Sequence, residues 1–279
     1  MDTEEINKKV LYRPTIAYPT IFLFFFALVI WIESIHQGPF FAGRLPLLIC
    51  IILSTIASFI MFTVLHDGVH RSISKIRWIN ETVGRIAALF LSPLASFPAF
   101  RYVHLQHHKF TNVKGKDPDL YSGTASWYEL PFRWSTQEIA YWNDYLANLK
   151  HHSIVDVVET LATLLVMWAV IAFYYLHGEF RLVFWHYLLP CRLSIILLAF
   201  SFDYLPHSPH TISITQDRYK TTTLLLFPLQ KLFTWLMLYQ DYHIIHHLFP
   251  MIPFYRYTEV WKLKEHELKS KNVPIRRVF

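Results

Sequence analysis

Four apolar runs divide the chain. Residues 16–35, 45–65, 157–176 and 184–202 are each about as long as a helix must be to cross a hydrocarbon layer roughly 30 Å thick. A short turn joins the first two, and His177-Gly178-Glu179 joins the last two, so the pattern predicts two helical hairpins. Two further apolar runs are too short or too broken to cross alone. Residues 86–100 carry Pro93 and Pro98, and residues 221–238 carry Pro228, Gln230 and Lys231 near their middle. Both are expected as re-entrant or interfacial pieces, because irregular backbone at membrane depth must be covered by protein. Four crossings leave the N-terminus, residues 66–154 and everything from 203 to 279 on one side.

Composition supports this division. The chain is 53% hydrophobic and only 16% charged, with 23 Phe and 7 Gly. The expected fold is all-α: a single integral membrane domain over residues 1–279, with four transmembrane helices and a helical cap made of 66–154 and 203–279. The net charge of +6 is unevenly placed. Of 26 Lys and Arg, only Arg44, Arg181 and Arg192 fall outside the N-terminal tail, the 67–154 loop and the C-terminal region. An excess of Lys and Arg marks the cytoplasmic side, which places the cap and both termini there. In so apolar a chain the basic charge is assigned to a lipid surface rather than to nucleic acid. Cys50 and Cys191 sit singly in apolar runs and form no metal or redox motif. Residues 1–10 are acidic then basic, and no small-residue cleavage site follows the first apolar run, so no cleavable signal peptide is expected. Residues 258–269 carry charge all along and are expected as a solvated helix.

The cap holds the chemistry. Three histidine boxes stand out: His66-Asp67-Gly68-Val69-His70, His104-Leu105-Gln106-His107-His108 and His243-Ile244-Ile245-His246-His247. On a helix, residues three and four apart share a face. Each box therefore presents two or three imidazoles from one turn. A lone histidine is usually a hydrogen-bonded core or surface residue; three boxes on helix faces are not. Imidazole is the commonest metal ligand near neutral pH and suits iron, copper and zinc. Eight histidines fit two metals with four or five ligands each and positions left open for oxygen. A hydrolytic zinc site needs about three protein ligands and would leave most of these unexplained. A bis-histidine haem or a histidine-lined metal transporter would place ligands along the spans, whereas these cluster at the span ends and beyond.

A ninth ligand is expected in Phe202-Asp203-Tyr204-Leu205-Pro206-His207-Ser208-Pro209-His210, which follows the fourth run at the same face. His207 is the choice and His210 the alternative. Asp203, four residues before His207, is a candidate to orient a ligand or a bound water, as is Asp67 inside the first box. Lys114, Lys116, Asp117 and Asp119 follow the second box and read as a solvated loop, with structural support of that box as the alternative. His36, His151, His152, His177, His186 and His266 are not expected to be ligands. Trp127, Tyr128, Trp134, Tyr141 and Trp142 read as interfacial anchors, with the lining of a substrate channel as the alternative.

The boxes, their order and their placement resemble the membrane fatty-acid desaturase/hydroxylase superfamily. Their flanks are most similar to CrtR-type β-carotene hydroxylases, through His66–Ser72, Arg101–Asn112, Asp117–Asp119, Phe202–His207 and Tyr242–Tyr255. The pair Gly68-Val69 stands where that branch usually has Ala-Ser. The resemblance spans about residues 60–256. It implies a non-haem di-iron centre that uses O2 and oxidises a C–H bond of a membrane lipid. The ligands would be His66, His70, His104, His107, His108, His207, His243, His246 and His247. β-Carotene ring hydroxylation is the leading implication, and fatty-acyl desaturation or hydroxylation is the alternative. Electrons would come from a separate ferredoxin-like or cytochrome-like donor.

Overall fold

The computed structural model describes residues 9–278. Four helices are long and apolar enough to cross a membrane: α1 (Tyr18–His36), α2 (Leu47–Val69), α8 (Ile154–Leu176) and α9 (Phe180–His207). Local signals set their ends. Pro46 precedes α2, and the Ser153 hydroxyl caps α8 by accepting from the Asp156 amide. Gly178, at φ 76°, turns the chain from α8 toward α9. Helix α2 is buried along most of its length, whereas α1 and α8 turn large apolar side chains outward, such as Phe22 and Leu165. The second and fourth helices both outrun the apolar runs read from sequence. His66 of the first box thus lies in the last turn of α2, His70 caps its C-terminus, and His207 ends α9.

Between the spans the chain dips and returns. Helix α3 (Arg77–Ala88) runs back along α2, and α4 (Phe97–Phe110) carries the second box outward again. Gly84 makes this possible: a Cβ there would lie 2.3 Å from a Phe97 ring carbon. Gly68, where the hydroxylase branch has a larger residue, faces Gly84 and the Asn80 carbonyl across the α2–α3 crossing. The tip between α3 and α4 is not helical, so its carbonyls need partners. The Tyr187 hydroxyl donates to Leu89 O at 2.8 Å, the Cys191 thiol to Phe90 O at 3.2 Å, and the Trp142 indole to Leu94 O at 3.2 Å. Cys191 lies sixteen residues before His207 on α9, or about 24 Å down the helix. The tip of the 86–100 run is therefore packed well down α9, away from His207. Three short helices follow, α5 (Leu120–Gly123), α6 (Leu130–Ser135) and α7 (Gln137–Ala147).

Two expectations need correction. Residues 221–238 do not form one piece. Leu224–Leu226 is a strand, β1, paired in parallel with β2 (Ile275–Arg277), and Gln230–Leu236 is a short helix, α10. Pro228 has no N–H to continue a helix, and the Gln230 side chain accepts from Phe227 N and donates to Leu225 O, closing the turn. The exposed Leu229, Leu232, Trp235 and Leu236 keep α10 an interfacial candidate. The C-terminal helix α12 (Tyr257–Ser270) is not solvated all round. Tyr257, Val260, Trp261 and Leu268 are buried against Ile244, Ile245, Leu248 and Ile252 around the third box. That box forms α11 (His243–Leu248), and the cluster fixes it in place.

Candidate metal centre

The nine histidines come together in two groups. His66, His70, His104, His108 and His246 form the first; His107, His207, His243 and His247 form the second. Within each group the candidate ligand atoms all lie within 4.8 Å of one another. The two HxxHH boxes are complementary. In α4, the i and i+4 pair His104 and His108 turns to the first group, and His107 to the second. In α11, the pair His243 and His247 turns to the second group, and His246 to the first. Adjacent residues on a helix diverge by about 100°, so each HH doublet reaches both groups. The groups are neighbours: the His108 and His247 rings stack at 4.4 Å.

The geometry fits metal ions. Nε2 atoms face each other at 2.9 Å (His66–His246), 2.7 Å (His70–His104), 3.2 Å (His104–His108) and 2.8 Å (His108–His246) in the first group. The second group has 3.3 Å (His107–His247) and 3.0 Å (His243–His247). Ligands bound at about 2.1 Å would stand about 3.0–3.4 Å apart. Burial, reinforced by neighbouring imidazoles, pushes His70, His104, His108, His243, His246 and His247 well below the ordinary histidine pKa. These rings are therefore neutral, with converging lone pairs that only a cation or a shared proton can satisfy. Both nitrogens of His207 are buried without a partner.

The outer partners differ between the groups. In the second, His107 Nδ1 donates to Asp117 at 2.8 Å and lies 3.2 Å from Asp119. Burial would lower this imidazole, but the carboxylates of Asp119 and Asp117 prevail and hold it at about 9. Asp117 is itself fixed by the Asn112 and Asp119 amides. His243 Nδ1 donates to the Gln240 side-chain oxygen at 2.6 Å. In the first group, His246 Nδ1 meets the Tyr257 hydroxyl at 3.0 Å. A hydrogen bond at Nδ1 fixes the tautomer that leaves Nε2 free for a metal.

Other singled-out residues fall elsewhere. Asp67 bonds Thr20 at 2.8 Å and ties α2 to α1, with no contact to a histidine ring. His210 stacks 6.1 Å from His207, outside both groups. Asp203 faces a cavity described below. The Asp117–Asp119 loop is not solvated: both carboxylates are buried against His107, so the alternative of structural support is the one found. Gln240 and Tyr257 were not singled out in the sequence; Gln240 stands one turn before His243, while Tyr257 reaches His246 only through the fold. His36, His151, His152, His177, His186 and His266 lie outside both groups.

An apolar cavity of about 90 Å³ opens one helical turn from the first group. Phe62, Phe100 and Asp203 line it, each four residues before a clustered histidine. Phe100 stacks on His104 at 5.4 Å and Phe62 lies 6.0 Å from His66. Of the five aromatic residues expected as interfacial anchors, Tyr141 and Trp142 line it instead, together with the buried Tyr145.

A spanning helical scaffold with two histidine groups at its ends defines a family, and the comparisons name it. The fatty acid desaturase profile matches residues 42–279, and the chain belongs to that family. Similar curated proteins are sn-1 oleoyl-lipid 12-desaturases. That of Picosynechococcus sp. is 33% identical over 79 residues, 26% of this chain and 22% of the relative. That of Anabaena variabilis is 32% identical over 89 residues, 29% and 25% of the two chains. That of Arthrospira platensis is 47% identical over 51 residues, 18% and 14%. The matched stretches thus span a quarter or less of each relative's length.

Proposed function

We propose that the protein is a membrane acyl-lipid desaturase: a di-iron, O2-dependent oxidoreductase that removes two hydrogens from adjacent methylenes of a lipid chain. The carrying observation is the pairing of two adjacent histidine groups with an apolar cavity one turn away. The nine histidines would hold two irons, which would supply activation of O2 strong enough to break an unactivated C–H bond. The protein's own work is positional. Helices α2, α4 and α9 bring the cavity beneath the ligands, so a chain lying in it against the edge-to-face pair of Phe62 and Phe100 is held close to the centre. The apolar walls keep water out, and Asp117, Gln240 and Tyr257 hold protons at Nδ1 so that Nε2 stays available.

The balance is R–CH2–CH2–R′ + O2 + 2 e⁻ + 2 H⁺ → R–CH=CH–R′ + 2 H2O. Two electrons must come from outside the substrate, which calls for a separate reduced carrier, ferredoxin-like or cytochrome-like. The exposed Lys109, Lys114 and Lys116, directly after the second box, suit an acidic partner. The excess of Lys and Arg supports a cytoplasmic location for this face.

The acyl reading stands above the carotenoid one because the curated relatives are named as oleoyl-lipid desaturases. The flanks of the boxes keep β-carotene hydroxylation as the second reading. Cells expressing the protein with both lipid classes present, analysed by mass spectrometry, separate the two. New double bonds in acyl chains support the proposal. Hydroxylated carotenoid with unchanged acyl chains would replace it.

A further inference from the structure

A second and larger cavity lies behind the first. It measures about 320 Å³ and is lined by Trp31, Met167, Val183, His186 and Tyr187 of the spans together with Leu89 and Phe90 of the tip. The first cavity begins on the other side of that segment, at Leu91 and Ser92. Both cavities also share α9. The first takes Asp203, Ala199, Leu198 and Ile195; the second takes Tyr187, His186, Val183 and Leu182. Asp203 to Ile195 is about 12 Å of helix, and Ile195 to Tyr187 about 12 Å more. The cavities are therefore stacked along one helix, and the tip between α3 and α4 is the wall between them.

The second-cavity face of that wall is held by α9 and α1. Tyr187 and Cys191 donate to its carbonyls, and Trp31 packs edge-on against Phe90 with ring centroids 5.2 Å apart. Leu91 is buried and turns to the first cavity, while Phe90 turns to the second. Glu138, which also lines the first cavity, is taken up by Ser92 and Arg192. Leu89, Phe90 and Leu91 make the wall itself apolar, suited to the methyl end of a chain and not to a polar head.

We propose that Leu91 and Phe90 form the floor of the acyl pocket and set how far a chain extends beyond the carbons held at the histidine groups, with the second cavity as the space a longer chain would enter. This rests on the acyl reading above and names the residues that fix chain length within it.

The test uses purified full-length protein in lipid nanodiscs, offered a ladder of acyl lipids stepped by chain length. Retained lipid and product are both measured by mass spectrometry. Wild type should retain chains up to a cut-off. The Leu91→Ala, Phe90→Ala double variant removes about nine side-chain carbons at the floor, three from Leu91 and six from Phe90, and should move the cut-off longer by about two carbons or more. Ile195→Phe, which fills the pocket just above the floor, should move it shorter. An unchanged cut-off in both variants, or no cut-off in wild type, overturns the floor. A cut-off that shifts as expected with no unsaturated product would leave the floor standing and remove the desaturase reading instead.

Discussion

The two histidine groups look alike in ligand type and differ in what stands behind the ligands. The first has five imidazoles, and its one outer partner of note is the neutral Tyr257 hydroxyl on His246. The second has four, and two buried carboxylates back His107. Ligand number and outer charge thus compensate. Where a ring is missing, anions raise the basicity of one that remains. Two irons bound here would not be equivalent, and the second would be the better supplied with negative charge. Variants can break or sharpen this contrast.

Loss of a ligand should have the largest effect. His246→Ala and His247→Ala, neighbours in sequence but members of different groups, should each abolish product, while iron content falls by about one ion per chain. Loss of both irons from either variant would mean that the groups act as one site. Next is Asp117→Asn, which removes charge and keeps size. A partner of this kind is worth about 10–100-fold in metal affinity or activity, and the loss should fall on one iron only, read by metal analysis during dialysis against a chelator.

The pH dependence of loading should separate the groups further. His107 is held at about 9 without metal, so below that value its Nε2 proton must leave as iron binds. Affinity of the second group should therefore rise by up to about tenfold per pH unit toward 9, while that of the first, whose rings outside the spans are already neutral, stays flat over the same window. For the metal-free protein the sign is opposite. The raised pKa adds stability that is fully present below the unfolded value near 6.5 and is lost as pH passes through 9. Isothermal titration and thermal melts at several pH values report both. The smallest effects are expected for Tyr257→Phe and Gln240→Leu, which remove neutral partners at a net value of about 1 kcal/mol each. If Tyr257→Phe matched Asp117→Asn in cost, charge would not be what distinguishes the groups.

Much of this was legible in the chain itself. The spans announce themselves by length and hydropathy, and the boxes by a spacing that only a helix face rewards. Even the ninth histidine follows from its place at the end of α9. The division of each HH doublet between two groups was not legible, because it depends on how α4 and α11 are rotated against one another. Asp117 and Asp119 looked like a polar loop, since nothing local says that His107 folds back over them. The helix at 257–270 misled for a related reason. Its charges are continuous along the sequence, while the buried Tyr257, Val260, Trp261 and Leu268 are spaced around one face. The floor of the cavity was least legible of all, because it depends on α9 donating hydrogen bonds to a tip about a hundred residues earlier.

The most direct test is the metal itself. Iron content of the purified full-length protein, with Mössbauer spectroscopy of an iron-57 sample, should give about two irons per chain in two distinct nitrogen-rich environments. Asp117→Asn should perturb one of the two signals. A single iron, two indistinguishable irons, or stoichiometric zinc in their place would contradict the account.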